Sequence, residues 1–306
     1  MARHFLTVSD LNICEVLALI DSGLRLKKRF EAGISYYPLF GDVIALIFEK
    51  PSTRTRVSFE AGIAQLGGSS LYLSPDQLQL KRGEPIKDTA RVISRYVDAV
   101  IIRTYGHEVL SEFARNSSVP IINGLSDLHH PCQILSDLLT LKERGFDVED
   151  FVIAYIGDGN NVCNSWLEAA KILGFELRVA TPENYKPNIS IFKLASVRNP
   201  RIKWTSNPQK AVKGAQIVYT DVWASMGQEA ETRKRKQAFK PYQVNEELLR
   251  LADKNALVMH CLPAHRGEEI TDEVIEGEKS IVFDQAENRL HFQKALLVYL
   301  MKGVVA

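Results

Sequence analysis

The stretch Val43-Ile44-Ala45-Leu46-Ile47-Phe48-Glu49-Lys50-Pro51-Ser52-Thr53-Arg54-Thr55-Arg56-Val57-Ser58-Phe59-Glu60 decides the fold class. Val43–Phe48 is apolar at every position. A strand with water on one face would alternate, so this one is covered on both faces. Pro51 stops the sheet, and Ser52 or Thr53 can cap a helix running through Val57, Phe59, Ile63 and Leu66. A buried strand, a short turn and a helix make the repeating unit of a doubly wound α/β sheet.

The same alternation extends in both directions. Further strands are expected at Ser69–Leu73, Ala99–Arg103 and Pro120–Asn123. A second series follows at Phe151–Ile156, Glu176–Ala180, Gln216–Thr220, Leu257–His260 and Ser280–Phe283. Helical periodicity fills the gaps at Lys87–Tyr96, Gln133–Arg144, Val162–Leu173 and Asn245–Lys254, and a last helix covers Gln285–Met301. The break falls near Gly145–Asp150, where Arg144 and Gly145 make a normal helix exit. The fold class is therefore α/β, with two doubly wound parallel-sheet domains. Residues 1–147 form the first, 148–285 the second, and the C-terminal helix (286–306) packs back on the first.

Composition narrows the function classes. The chain has 306 residues, 45% hydrophobic and 25% charged, with a net charge of +1. No global field draws it to nucleic acid or to an acidic membrane. No stretch approaches the ~20 apolar residues of a membrane span. Met1–Leu11 has no apolar run of signal-peptide length. Cys14, Cys132, Cys163 and Cys261 are scattered and form no CxxC pair, so neither a disulfide framework nor a zinc site is indicated. A reduced, cytoplasmic enzyme is the expectation.

Any anion binding must then be local, and the Ser52–Arg56 segment supplies it. A helix N-terminus presents free N–H groups and the positive end of its dipole. Two hydroxyls and two guanidiniums gather at that point. Residues two apart diverge around a helix, so Arg54 and Arg56 cannot share a face. One is expected to grip an anion while the other pairs within the protein. A capped surface helix with two solvated arginines is the plainer alternative. No GxxxxGK[ST] is present, which points to a small phosphate compound rather than a nucleoside triphosphate. Arg103 closes another apolar strand, where ligands of open α/β sheets bind. His130, before Pro131, can donate to a carbonyl that gains charge, or can serve as a turn residue bonded to backbone.

Two more segments stand at strand ends. Tyr155-Ile156-Gly157-Asp158-Gly159-Asn160-Asn161-Val162 has the start of a dinucleotide fingerprint, but Val162 occupies the third glycine position. The asparagines suit the polar groups of an amino acid better. Asp221-Val222-Trp223-Ala224-Ser225-Met226-Gly227 and His260-Cys261-Leu262-Pro263-Ala264 each follow an apolar run. Asp221 can pair with an ammonium or act as a cap, and Cys261 is a polarizable thiol or an inert buried one. The charges of Gln228–Lys240 (Glu229, Glu231, Arg233, Lys234, Arg235, Lys236) read most simply as a solvated face.

Ser-Thr-Arg-Thr-Arg, then Arg103, then His130-Pro131-Cys132-Gln133 resembles the aspartate/ornithine carbamoyltransferase family. Asp-x-x-x-Ser-Met-Gly with His-Cys-Leu-Pro-Ala is similar to its ornithine branch. The likeness spans nearly the whole chain, with five motifs in family order. It implies carbamoyl transfer from carbamoyl phosphate to the side-chain amine of L-ornithine, giving L-citrulline and phosphate. It also implies a carbamoyl phosphate-binding first domain and an ornithine-binding second domain. By resemblance Ser52, Thr53, Arg54, Thr55, Gln79, Arg103, His130, Gln133, Cys261, Leu262 and Arg289 contact carbamoyl phosphate. Asn161, Asp221, Ser225 and Met226 bind ornithine, and Arg103, His130, Asp221 and Cys261 are the catalytic group. The segment around Gln79 reaches a neighbouring subunit's site in a trimer, or in an assembly of trimers. One departure is Gly106-His107, where the family often has Gln after the glycine.

No organic cofactor or metal is expected, since the donor is already activated and no His/Asp/Glu ligand set clusters in the sequence. Other acceptors of the family (aspartate, putrescine, an acylated ornithine) are the nearest alternatives. A non-catalytic binder of the same fold and a nicotinamide oxidoreductase lie further off. The resemblance leaves biosynthetic and degradative roles open.

Overall fold

The computed structural model describes residues 2–79, 83–224 and 231–305. It divides into two compact units, Met1–Glu143 with Glu287–Ala306, and Arg144–Ala286.

In the first unit α1 (Ile13–Glu31) leads into β1 (Val43–Phe48), α2 (Thr53–Gln65), β2 (Ser69–Leu73), α3 (Ile86–Ile93), β3 (Ala99–Arg103), α4 (His107–Asn116), β4 (Ile121–Leu125) and α5 (Pro131–Glu143). Helix α1 starts at a reciprocal cap. Asn12 Oδ1 accepts the Glu15 N–H at 3.0 Å, and Glu15 Oε2 accepts the Asn12 N–H at 2.8 Å. The four strands are parallel, in the order β2-β1-β3-β4. Ile44–Phe48 and Ala99–Ile102 are buried throughout, as the unbroken apolar runs require. Burying each such Ile or Leu stabilises the unit by about 1.5–3 kcal/mol.

The second unit contains β5 (Val152–Ile156), α6 (Asn161–Leu173), β6 (Glu176–Ala180), α7 (Ile189–Arg198), β7 (Ile202–Thr205) and α8 (Pro208–Val212). β8 (Ile217–Thr220), α9 (Thr232–Phe239), α10 (Glu246–Leu249), β9 (Leu257–His260) and α11 (Asp272–Ile275) follow. Its strands are also parallel, in the order β7-β6-β5-β8-β9.

The last helix, α12 (Val282–Lys302), belongs to the first unit from Glu287 onward. It is tied there along its length. Asn288 Nδ2 donates to Thr140 Oγ1 at 3.1 Å and to Glu143 Oε2 at 2.7 Å. Further on, Tyr299 donates to Glu15 at 2.7 Å.

Strand order locates the functional ends of both sheets. In each, the winding reverses between two neighbours, β1 and β3 in the first unit and β5 and β8 in the second. Helices leaving such a pair diverge and open a crevice at the carboxyl ends. The Ser52–Arg56 turn and Arg103 follow β1 and β3, while Gly157–Asn161 and Asp221 follow β5 and β8.

Three local expectations change. Ser280–Phe283 is not a strand: Ser280 makes one isolated bridge to Val258, and α12 begins at Val282. Four apolar-rich residues fit a strand or a buried helix start equally well by periodicity. β7 went unforeseen because Ile-Lys-Trp-Thr is an edge strand with mixed polarity. The pattern at Asn245–Lys254 forms only the single turn α10, capped by Asn245. Among the described residues, no helix is long and apolar enough to cross a membrane.

Candidate active site

The first-unit site starts at the head of α2. Ser52 caps the helix, its Oγ accepting the Thr55 N–H at 3.2 Å and lying 3.1 Å from Thr55 Oγ1. Thr53 is exposed and Arg54 half-buried, while Thr55 is fully buried. Arg56 is the arginine that pairs within the protein. Its Nε donates to Glu60 at 3.0 Å, and its guanidinium lies 3.7 Å from the Tyr72 ring centre. Arg54 Nε is buried and has no hydrogen-bond partner among the described residues. Arg289, brought in by α12, donates through Nη2 to Thr55 Oγ1 at 2.8 Å.

Arg103 ends β3 where the register against β4 slips, Ile102 facing Asn123 but Arg103 facing Leu125. A bulge of this kind re-aims the side chain that follows it. His130 precedes α5 and is buried. Burial first, then Arg289, Arg103 and Arg54, hold its ring pKa well below the usual histidine value. The imidazole is therefore neutral at pH 7, carries one N–H, and sits in the field of three guanidiniums. Gln133, in the first turn of α5, donates to Asp137 at 2.8 Å, and its buried Oε1 has no partner among the described residues. Buried polar atoms left open beside clustered cations mark a place where a ligand completes the bonding. Gln79 is exposed on the segment after β2, with its carbonyl accepting the Glu84 N–H at 3.2 Å.

The second-unit site is built around Asp221, directly after β8. Asn160 caps α6, and its Oδ1 accepts the Val162 and Cys163 N–H groups and the Tyr155 hydroxyl. That fixes the amide, so Nδ2 faces Asp221 Oδ2 at 2.6 Å. The Cys261 thiol donates to Asp221 Oδ1 at 3.0 Å, and the Val222 N–H donates to the same oxygen at 2.8 Å. Gly159 is required here, because a Cβ at that position would lie 2.2 Å from Pro187 N. Asn161 is buried at the start of α6. Ser225 and Met226 lie outside the described residues.

Behind Cys261 runs a chain of hydrogen bonds. Glu269 and His260 are both fully buried, with His260 Nε2 3.1 Å from Glu269 Oε1. His260 Nδ1 accepts the Leu262 N–H at 2.8 Å, so the ring proton sits on Nε2 and is donated to Glu269. Leu262 thereby keeps a left-handed backbone (φ 57°) that a branched side chain rarely adopts. Ligand atoms of Asp221, His260 and Cys261 lie within 4.8 Å of one another, a grouping of possible metal ligands that the sequence reading did not anticipate. Both ring nitrogens of His260 are already engaged, by the Leu262 N–H and by Glu269.

Residues 3–143 match the family model described as the carbamoyl-P binding domain of aspartate/ornithine carbamoyltransferase, and residues 149–300 match its Asp/Orn binding domain. The chain belongs to the aspartate/ornithine carbamoyltransferase family. An ornithine carbamoyltransferase of Archaeoglobus fulgidus is 54% identical over 299 residues, covering 98% of this chain and 97% of the relative. One from Halorhodospira halophila is likewise 54% identical, covering 98% and 99%. Among solved structures, ornithine carbamoyltransferase from Pyrococcus furiosus aligns with a TM-score of 0.95 at 47% identity, covering 99% of this chain and 98% of that one. The anabolic ornithine carbamoyltransferase of Campylobacter jejuni aligns at 0.94 and 43%, covering 99% and 100%.

Within this family member, the first unit gathers Ser52, Arg54, Thr55, Arg103, His130 and Arg289, and the second joins Asp221 to Cys261. Thr53 and Gln79 remain exposed. One expectation is corrected: Arg235 is not on a solvated face. It is 4% exposed, pairs with Asp158 at 2.5 Å and donates to the Trp223 carbonyl at 2.5 Å. Burial, with help from Asp221, lifts the Asp158 carboxyl to about 7 against the pull of Arg235. Asn160, Glu269 and the Arg235–Asp158 pair were all missed as site residues. An acid between two glycines directly past a strand, as at Asp158, was the available signal for that pair.

Proposed function

We propose that this chain transfers the carbamoyl group of carbamoyl phosphate to the side-chain amine of L-ornithine, releasing L-citrulline and phosphate. The observation that carries the reading is the convergence of Arg54, Arg103 and Arg289 on a buried, neutral His130. That arrangement suits a doubly charged phosphoryl donor whose carbonyl accepts an N–H. Its relatives, matched over nearly their full length, bear the name of this activity.

The residues then take these roles. Ser52, Thr53, Arg54 and Thr55 hold the phosphate, with Arg103 and Arg289. Gln133 and Leu262 hold the carbamoyl end. Asn161, Asp221, Ser225 and Met226 bind ornithine. The free amine has a pKa near ~10.4, so nearly all of it is protonated at neutral pH and cannot attack. Asp221 binds the ammonium and accepts its proton, and Cys261, whose thiol is bonded to the same carboxylate, helps that proton leave. The bared amine attacks the carbonyl carbon. The oxyanion that forms is met by Arg103, the His130 N–H and the Thr55 hydroxyl, and phosphate departs toward the Ser52–Arg56 turn. Holding both reactants at near-attack distance is the largest single contribution.

The proposal extends to setting and assembly. We further propose a role in arginine metabolism, with biosynthesis and degradation both open, in the cytoplasm, as a homotrimer or a set of trimers in which Gln79 serves a neighbouring subunit. The exposure of Gln79 supports that assignment. A steady-state assay with carbamoyl phosphate tests the function, supplying ornithine, aspartate, putrescine or N-acetylornithine in turn. Citrulline forming with ornithine alone is expected. Faster turnover of another acceptor, or no carbamoylated product from any, overturns the reading. Sedimentation equilibrium tests the trimer separately.

A further inference from the structure

The first unit carries a second concavity, a pocket of about 440 Å³ whose lining shares no residue with the phosphate cluster. Arg29 and Phe30 from the end of α1, Tyr36 and Tyr37 from the turn after it, Gln65 from α2 and Lys294 from α12 supply its character. The volume falls within the range of small-molecule sites, and the walls are mainly apolar and aromatic. The charged groups of the lining are Arg29 and Lys294; no carboxylate is among them.

Lys294 is the unusual member. It is 3% exposed on a helix face turned to the core. Its Nζ donates to Gln65 Oε1 at 2.9 Å and stands 4.8 Å from the centre of the Phe30 ring. Among the described residues it makes no ion pair. His291, on the preceding turn, is neutral, burial first and then Lys294 holding its ring at a pKa of about 3, so it neither repels nor neutralises the ammonium. Burial lowers the Lys294 ammonium itself to about 8. A buried ammonium held only by an amide oxygen and a ring face is costly, and an anion placed against it removes that cost.

We propose that this pocket binds a small aromatic monocarboxylate, its carboxylate against Lys294 Nζ and its ring against Phe30, Tyr36 and Tyr37. A single charge fits better than phosphate. One buried ammonium is present, the Arg29 guanidinium is exposed and stacked on Tyr36 at 4.5 Å, and phosphate needs more donors than these walls carry.

Titration calorimetry of the full chain with 4-phenylbutyrate, 4-phenylbutan-1-ol and inorganic phosphate tests this. Phenylbutyrate is expected to bind at least about tenfold more tightly than the alcohol, the scale of one partly desolvated ion pair. Lys294→Met should erase that preference while leaving the alcohol's affinity alone. Ala64→Phe, which fills the pocket from another wall, should remove binding of both. Equal affinity of acid and alcohol for the unaltered protein overturns the proposal. So does phenylbutyrate binding that survives both substitutions, and so does phosphate displacing phenylbutyrate.

Discussion

Arg289 and Thr55 stand 234 positions apart in the sequence and share a 2.8 Å hydrogen bond, Nη2 donating to Oγ1. The contact fastens the C-terminal helix to the head of α2 and holds a guanidinium beside the Ser52–Arg56 turn. Thr55→Val keeps the shape and removes the acceptor. It is expected to cost about 1.5–3 kcal/mol of stability, the range for a hydrogen bond to a charged group. It should also raise the KM for carbamoyl phosphate by more than about tenfold, whereas Thr55→Ser restores both. Urea unfolding and initial-rate kinetics on the two variants check this, and an unchanged KM in Thr55→Val removes the hydroxyl from the site.

Cys261 donates to an Asp221 carboxylate already bound by Asn160 and Val222. Cys261→Ser retains a donor but replaces the thiol. Turnover should fall by about 10²–10⁴, the usual weight of a proton-transfer group, with the pH profile of kcat displaced. Phosphate affinity should stay as it was. Wild-type kcat at every pH would take the thiol out of the reaction.

Glu269 reaches the Leu262 backbone through His260. It is a positioning residue. Glu269→Gln can present its amide N–H to the ring and so select the tautomer that no longer accepts the Leu262 N–H. The expected result is a drop in kcat larger than any rise in KM, together with faster alkylation of Cys261 by iodoacetamide as the turn loosens. Equal kcat and equal alkylation rates would show the chain of bonds to be structural only.

Arg235 is buried between Asp158 and the Trp223 carbonyl, with its guanidinium 4.6 Å from the Tyr185 ring centre. Removing one partner of a buried pair commonly costs about 3–5 kcal/mol. Arg235→Met is expected to lower the thermal midpoint and to raise the ornithine KM, since Trp223 and Asp158 flank Asp221. Adding Asp158→Asn should recover part of the stability. A double variant no more stable than Arg235→Met would mean that the pair is not the source of the loss.

His130 and His291 are both held below the ordinary histidine pKa, His291 at about 3, burial being the first cause for each. Folded, they bind a proton more weakly than in the unfolded chain. Their contribution to stability is thus complete above about pH 6.5 and is lost as pH falls toward 3. Each ring can contribute up to about 1.4 kcal/mol per pH unit in that window. Urea midpoints should fall steadily between pH 7 and pH 5, and more gently in His291→Gln. A flat midpoint over that interval would contradict the burial of both rings.

Much of this architecture was legible in the sequence because parallel strands leave a strong trace. Val43–Phe48 and Ala99–Ile102 have no polar position, and a run like that fits only a sheet covered twice. The gathering of Ser52, Arg54, Thr55 and Arg103 was legible for a related reason: these residues follow those strands. Arg235 was not, since nothing local separates a buried arginine from the exposed ones beside it, and only Asp158 and Tyr185, distant in sequence, decide its fate. Both asparagines were read as suiting an amino acid, with Asn161 assigned by resemblance; that Asn160 caps α6 depends on a one-residue helix boundary. Nothing local marked Glu269, because only the fold brings it to His260.

The first unit is assembled from both ends of the chain, Met1–Glu143 and Glu287–Ala306, whereas the second is one unbroken segment. On the ribosome the N-terminal portion therefore emerges first and finishes last. The cluster at the head of α2 must wait for Arg289, by which time all of Arg144–Ala286 has been made. A nascent chain halted between β9 and α12 holds a complete second sheet and a first unit in which Thr55 still lacks its Arg289 partner.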